Sequence, residues 1–216
     1  MKTIVILISG RGSNMRAVIE SAQQQQWCAR IAAVISSRTD ASGLAFANAC
    51  GIATVVVNSK AHASRGDFDH ALRAAIDVHA PDLVVLAGFM RILSDDFVAH
   101  YAGRMLNIHP SLLPSFTGLH THRQALAAGV KIHGATVHFV TPQLDHGPIV
   151  AQVAVAVQDT DTEDTLALRV LEQEHLLYPQ AIRWFLEGRL HVRGGRVCLQ
   201  DAATPFESVQ RSERTS

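Results

Sequence analysis

Strand-length runs of aliphatic and β-branched residues alternate with helix-length amphipathic segments along most of this chain, and few folds accommodate that alternation. Thr3 to Ile8 is a continuous apolar run, which fits a strand buried on both faces. Ser13 to Gln24 reads as a helix, Ile31 to Ile35 as a second strand, and Ser42 to Ala49 as a helix stopped by Gly51. Thr54 to Val57 gives a third strand, and Phe68 to His79 a helix ended by Ala80-Pro81. Leu83 to Ala87 and Met105 to His109 supply two more strands. This order predicts an α/β fold, a mostly parallel twisted sheet of about seven strands with helices on both faces. Further on, Thr121 to Ala128 reads as a short helix, and Ala135 to Val140 and Ile149 to Val157 as late strands. Asp161 to Leu186 carries a long helical pattern broken near Tyr178-Pro179. Arg189 to Val192 and Arg196 to Leu199, joined at Gly194-Gly195, predict a terminal hairpin. The 216 residues suffice for one core, so a single domain is expected over residues 1–200, followed by a polar, flexible tail over 201–216.

Composition excludes several classes of function. Lys plus Arg and Asp plus Glu number 19 each, giving zero formal net charge. With no basic run, nucleic acid is not expected as a partner. The first apolar run is too short for a signal peptide or a membrane span, so no membrane partner is expected. The three cysteines, Cys28, Cys50 and Cys198, show no CxxC spacing and fit a reducing, cytoplasmic location.

Chemistry concentrates at Asn107-Ile108-His109-Pro110. Residues i and i+2 of a strand face the same side, so the amide and the imidazole would meet one reacting group. An amide can donate to a developing oxyanion while an imidazole handles a proton near neutrality. Pro110 and Pro114 would stiffen the exit loop. A second polar loop, Thr141 to Pro148, lies between two expected strands. Asp145 there is either an ordinary turn residue or a carboxylate beside His109, where it would favour the imidazolium. Spacing alone does not bring the two loops together.

Ser9-Gly10-Arg11-Gly12-Ser13-Asn14 follows the first strand and opens the first helix. Backbone N–H groups in such a turn bind phosphate, although a plain strand-to-helix turn also uses glycine. Met15 occupies the place of a third fingerprint glycine, and Ser36-Ser37-Arg38 offers no ribose-binding acid, which argues against a dinucleotide site. The histidines number twelve, and His120-Thr121-His122 with His133, His138 or His146 invites a zinc reading. The absence of an HExxH or a Cys/His frame favours solvated or hydrogen-bonded histidines and no metal site. Glu172, Glu174 and His175 read as a solvated helix face unless that face borders a pocket.

Several of these motifs in this order closely resemble the phosphoribosylglycinamide formyltransferases, a branch of the folate-dependent formyltransferases. They are Ile8 to Gly10 with Gly12 to Asn14, Leu86 to Leu93, Asn107 to Pro114, Gly118 to His120, Leu144-Asp145 with Gly147-Pro148, and Gln173 to His175. The resemblance implies a Rossmann-like formyltransferase fold. It also implies transfer of the formyl group of 10-formyltetrahydrofolate, the donating cosubstrate, to the amine of glycinamide ribonucleotide in purine biosynthesis. Under it Asn107, His109 and Asp145 are catalytic, with His109 as general acid. Gly12, Ser13 and Asn14 bind the substrate phosphate, and Leu171, Glu172, Gln173 and Glu174 hold the rest of the ribonucleotide. Met90, Arg91, Ile92 and Leu93 line the folate pocket with Asn107 and with Thr141, Pro142, Gln143, Leu144 and Asp145, while Arg65 lies at the folate side. The protein is expected as a monomer or homodimer, without the extra N-terminal domain of the related hydrolases or the C-terminal one of the methionyl-tRNA branch. Arg11, His146 and Ser115-Phe116-Thr117 depart from the family's usual residues without removing a catalytic group. The rival activities are hydrolysis of formyltetrahydrofolate, formyl transfer to another amine, and nucleotide binding without turnover.

Overall fold

The computed structural model describes residues 1–200; the expected tail over 201–216 lies outside the described residues. Strand β1 (Lys2–Ile8) runs through the middle of the molecule, with Ile4 to Ile8 wholly buried. Its side chains alternate between two cores. Ile4, Ile6 and Ile8 point into one, and Val5 and Leu7 into the other, as the two-residue period of a strand requires.

Eight further strands follow: β2 (Ala29–Ser36), β3 (Ala53–Val56), β4 (Leu83–Leu86), β5 (Met105–His109), β6 (Ile132–Phe139), β7 (Ile149–Ala156), β8 (Leu190–Arg193) and β9 (Arg196–Leu199). The first seven form one sheet in the order β3-β2-β1-β4-β5-β6-β7. Pairing is parallel from β3 through β5 and antiparallel for β5 with β6 and β6 with β7. The expected α/β architecture, sheet size and late antiparallel strands are all present, and β8 and β9 form the separate hairpin.

Helices α1 (Ser13–Gln24), α2 (Gly43–Ala49), α5 (Thr121–Ala127) and α6 (Glu163–Leu186) supply Met15, Ala47, Ala125 and Val170 to the first core. Helices α3 (Arg65–Asp77) and α4 (Asp95–His100) supply Phe68, Leu72 and Phe97 to the second. Strand order reverses beside β1, so the chain leaves β1 towards β2 but returns on the other side as β4. In open α/β sheets the carboxyl ends of the strands at such a reversal border the binding crevice.

One local expectation is corrected, and one helix, α4, has no counterpart in the apolar pattern of the sequence. Helix α6 continues for 24 residues through Pro179 instead of breaking there. Proline removes only one backbone donor, and Tyr178, Pro179, Ala181 and Ile182 are all buried; packing of that face outweighs the local cost of about 3 kcal/mol. Tyr178 anchors the bend-prone turn, its hydroxyl lying 2.9 Å from the carbonyl oxygens of both Leu86 and Leu106. Helix α4 carries no long apolar period, but Ser94 caps it and Asp95 and Asp96 occupy its first turn, a recognisable start signal. No helix among the described residues is long and apolar enough to cross a membrane.

Candidate active site

Asn107 and His109 lie at the carboxyl end of β5, one residue apart on the same side of the strand. The antiparallel register sets Asn107 opposite His138 and His109 opposite Thr136 on β6. Side chains directly opposite in such a pair come into contact, and Asn107 Nδ2 lies 3.1 Å from His138 Nε2. His138 Nδ1 lies 2.9 Å from the Phe139 carbonyl, which can only accept, so Nδ1 carries the proton and Nε2 is a bare acceptor. Burial holds the His138 pKa below its ordinary value, consistent with this neutral form. The chain of contacts fixes the Asn107 amide with one N–H on His138 and the second free for a ligand. The zinc reading named His138 as one of three alternatives to join His120 and His122, but its side-chain partner is the Asn107 amide. Its alternation with Thr136 on β6 was the signal available for this contact.

His109 is 5 % exposed and is engaged at both ring nitrogens. Nε2 donates to the Phe116 carbonyl at 2.9 Å, and Nδ1 lies 3.6 Å from Asp145 Oδ2. The expected meeting of His109 and Asp145 therefore occurs, at ion-pair distance. The same Asp145 oxygen accepts the Gly118 N–H at 2.8 Å, which ties the loop after β5 to the loop after β6. Asp145 adopts φ 52, in the left-handed region that aspartate enters more readily than most residues. Phe116, whose carbonyl caps His109, also has a positive φ of 55, an uncommon state for a bulky residue and a local strain at the site.

The loop carrying Phe116 is braced from β6 and α5. Thr136 Oγ1 donates to the Ser111 carbonyl at 2.6 Å and accepts the Leu113 N–H at 3.0 Å. Thr121 Oγ1 donates to the Pro110 carbonyl at 2.7 Å. Behind this loop the His122 and His133 rings meet edge to face, and neither nitrogen of buried His133 has a partner. Burial pushes His133 down to about 4. Exposed His120 takes a left-handed conformation at the start of α5. Among the described residues, no three His, Cys, Asp or Glu side chains gather into a metal-holding group.

The glycine turn sits at the end of β1. Gly12 has φ 67 and precedes α1, whose N-terminus has no side-chain cap and no acidic residue in its first turn. Free N–H groups and the helix dipole there favour an anion. Gly43 supports the turn from below: its N–H donates to the Gly10 carbonyl at 3.2 Å. A Cβ on Gly43 would come within 2.9 Å of Ile8 Cδ1 and 3.0 Å of the Arg11 carbonyl, so the approach needs glycine.

Asn14, expected with the phosphate turn, turns its side chain away from it: Nδ2 donates to Glu174 Oε2 at 2.6 Å. Burial pushes Glu174 up to about 7 while the Asn14 hydrogen bond opposes the rise. Asn14 Oδ1 is buried without a partner, and an unmet acceptor of this kind fits a ligand N–H or O–H. The run Leu171 to Glu174 does not face one pocket. Successive helix residues are about 100° apart; Glu174 is buried, whereas Glu172 is exposed on the far side.

The loop after β4 leaves Met90 and Ile92 67 % and 61 % exposed, while Leu93 packs into the second core. Val140, immediately before Thr141, packs against the same core that holds Phe89, so the loops after β4 and β6 leave the sheet from one core. Leu144 is 55 % exposed, so this end of the sheet presents exposed apolar side chains of the kind that cover a ring system. Arg65 is exposed at the first position of α3, one turn before Asp69, whose Oδ2 accepts the Ser94 N–H at 2.7 Å.

Residues 2–182 match the family described as Formyl transferase. Over 210 residues the chain is 50 % identical to phosphoribosylglycinamide formyltransferase of Escherichia coli (strain K12), covering 97 % of this chain and 99 % of that protein. Glycinamide ribonucleotide transformylase 1 of Symbiobacterium toebii superposes with a TM-score of 0.90 at 46 % identity, over 93 % of this chain and 95 % of that one. A formyltetrahydrofolate deformylase from Pseudomonas syringae superposes with a TM-score of 0.85 at 28 % identity, over 92 % of this chain and 65 % of that one. The chain belongs to the formyl transferase family and, at half identity over almost its whole length, to its phosphoribosylglycinamide formyltransferases.

Proposed function

We propose that the chain transfers the formyl group of 10-formyltetrahydrofolate to the primary amine of glycinamide ribonucleotide, giving formylglycinamide ribonucleotide and tetrahydrofolate. The observation that carries this reading is the convergence of a free Asn107 N–H, the His109 imidazole and the Asp145 carboxylate at the end of β5. That end lies beside an uncapped helix N-terminus suited to the acceptor's phosphate. Exposed Met90, Ile92 and Leu144 suit the ring system of the folate.

The folate contributes an electrophilic formyl carbon. The free Asn107 N–H and the His109 imidazole donate to the formyl oxygen as charge develops on it. Asp145 and the Gly118 N–H keep the His109 ring in place through one carboxylate oxygen. His109 Nε2–H leaves the Phe116 carbonyl to reach the reacting group, a short rotation of a strained loop residue. The amine loses a proton and the departing folate nitrogen gains one, with His109 as the passing group. Glu174, poised near neutrality beside the unmet Asn14 oxygen, accepts from the acceptor's N–H or O–H groups. A cytoplasmic location accompanies this reading, and the three cysteines are free thiols.

The test is tetrahydrofolate release by the purified chain, followed spectrophotometrically with and without glycinamide ribonucleotide. Release that requires the ribonucleotide is expected. Equal release without it would identify a hydrolase instead, and release driven equally well by an unphosphorylated amine would identify a different acceptor.

A further inference from the structure

Ser9 belongs to no part of the mechanism above, yet it is hydrogen-bonded to the Met90 loop and leads directly into the glycine turn. It follows β1 and directly precedes the glycine turn, and it is 6 % exposed. Its N–H donates to the Gly88 carbonyl at 3.2 Å. Its hydroxyl accepts the Met90 N–H at 2.8 Å and lies 2.7 Å from the hydroxyl of Ser37, a wholly buried residue just beyond β2. The loop from Gly88 to Leu93 has no regular structure, and its outer side chains face solvent. Among the described residues, its backbone is tied down by Ser9 at one end and by the Asp69 bond to Ser94 N–H at the other. One residue therefore anchors the loop expected to hold the folate while fixing where the anion turn begins.

We propose that Ser9 is a positioning residue that couples the two substrate sites, so that an anion seated on the glycine turn orders the Met90 loop and folate on that loop steadies the turn. This rests on the assignment of Gly12 to Asn14 to the acceptor phosphate and of Met90 to Leu93 to the folate. The plainer role for a buried Ser9–Ser37 pair is mutual satisfaction of two hydroxyls. The two roles separate because only Ser9 supports Met90. Ser9→Ala and Ser37→Ala each delete one hydroxyl of the same pair, but Ser9→Ala alone strips the Met90 N–H of its acceptor. Coupling between sites is reciprocal and is read as the ratio of a ligand's affinities with and without the other ligand.

The experiment is calorimetric titration of tetrahydrofolate into the full chain with and without saturating glycinamide ribonucleotide, a pair that cannot react because neither carries the formyl group. In the unmodified chain the ribonucleotide is expected to tighten tetrahydrofolate by about fivefold or more. In Ser9→Ala, tetrahydrofolate is expected to bind about tenfold more weakly, the ratio to fall to about one, and KM for the folate to rise more than kcat falls. Ser37→Ala is expected to keep the affinity and the ratio. A ratio of one in the unmodified chain, a Ser9→Ala variant with the ratio intact, or a Ser37→Ala variant that loses it equally would each overturn the proposal. Failure of the unmodified chain to bind either ligand would instead overturn the proposed function, and the coupling with it.

Discussion

Asn107 and His109 stand on β5, a strand paired on both sides within the sheet, whereas Asp145, Met90 and Gly12 stand on connections fixed by a few hydrogen bonds. In the first region the ladder positions the backbone, and the register brings Asn107 against His138 without any loop to adjust. In the second, single contacts do the positioning: Gly118 N–H for Asp145, Ser9 for Met90, and Gly43 for the glycine turn. Under the proposed function two of the three reacting groups, Asn107 and His109, sit on the stiff strand, while Asp145 shares the connections with the groups that admit and release substrates. Damage to the strand groups should therefore appear in kcat, and damage to loop anchors in KM or stability.

Asn107→Ala removes the amide donor without disturbing the β5 backbone. It is expected to lower kcat by about a hundredfold to a thousandfold at nearly unchanged KM. A KM effect with normal kcat would break the division between the two regions. His138→Phe keeps a buried ring but cannot accept from Asn107, so a smaller loss in kcat, about tenfold, is expected in the same steady-state assay.

The loop after β6 provides the opposite case. A Cβ on Gly147 would lie 1.7 Å from the Phe139 carbonyl oxygen, so Gly147→Ala must push the Thr141–Pro148 connection off the sheet. A loss of about 1–3 kcal/mol in thermal or denaturant unfolding is expected. The folate KM should rise in parallel.

Glu174 adds a pH dependence. Burial raises Glu174 from 4.5 to about 7, so the folded chain keeps a proton that the unfolded chain has released. Its cost to stability is absent below pH 4.5, grows as the pH rises towards 7, and reaches roughly 3 kcal/mol at most above that. Glu174→Gln should match the parent in Tm at pH 4.5 and exceed it at pH 8. A gap that widened towards acid pH would contradict the assignment.

The legible parts of the sequence follow from local period. The apolar run of β1, the Met105–His109 strand and the i, i+2 relation of Asn107 to His109 need no distant information. The limits of α1 were legible as well, because Gly12 marks its start and a polar run its end. Contacts between distant residues were not. His109 and Asp145 share no periodicity, and Asn14 finds Glu174 across 160 positions. Pro179 shows the converse error, a sound local rule for a helix break that buried packing overrides. At Leu171 to Glu174 the run of four on a helix points in four directions, and burial singles out Glu174 from exposed Glu172.

The most direct test of the division between strand and loop groups is a single-turnover measurement on His109→Ala, with both substrates bound and the formyl transfer step observed alone. The predicted result is a transfer rate lower by about a thousandfold, with the dissociation constants of both substrates within about threefold of the parent. A near-normal transfer rate in a folded variant would contradict the account.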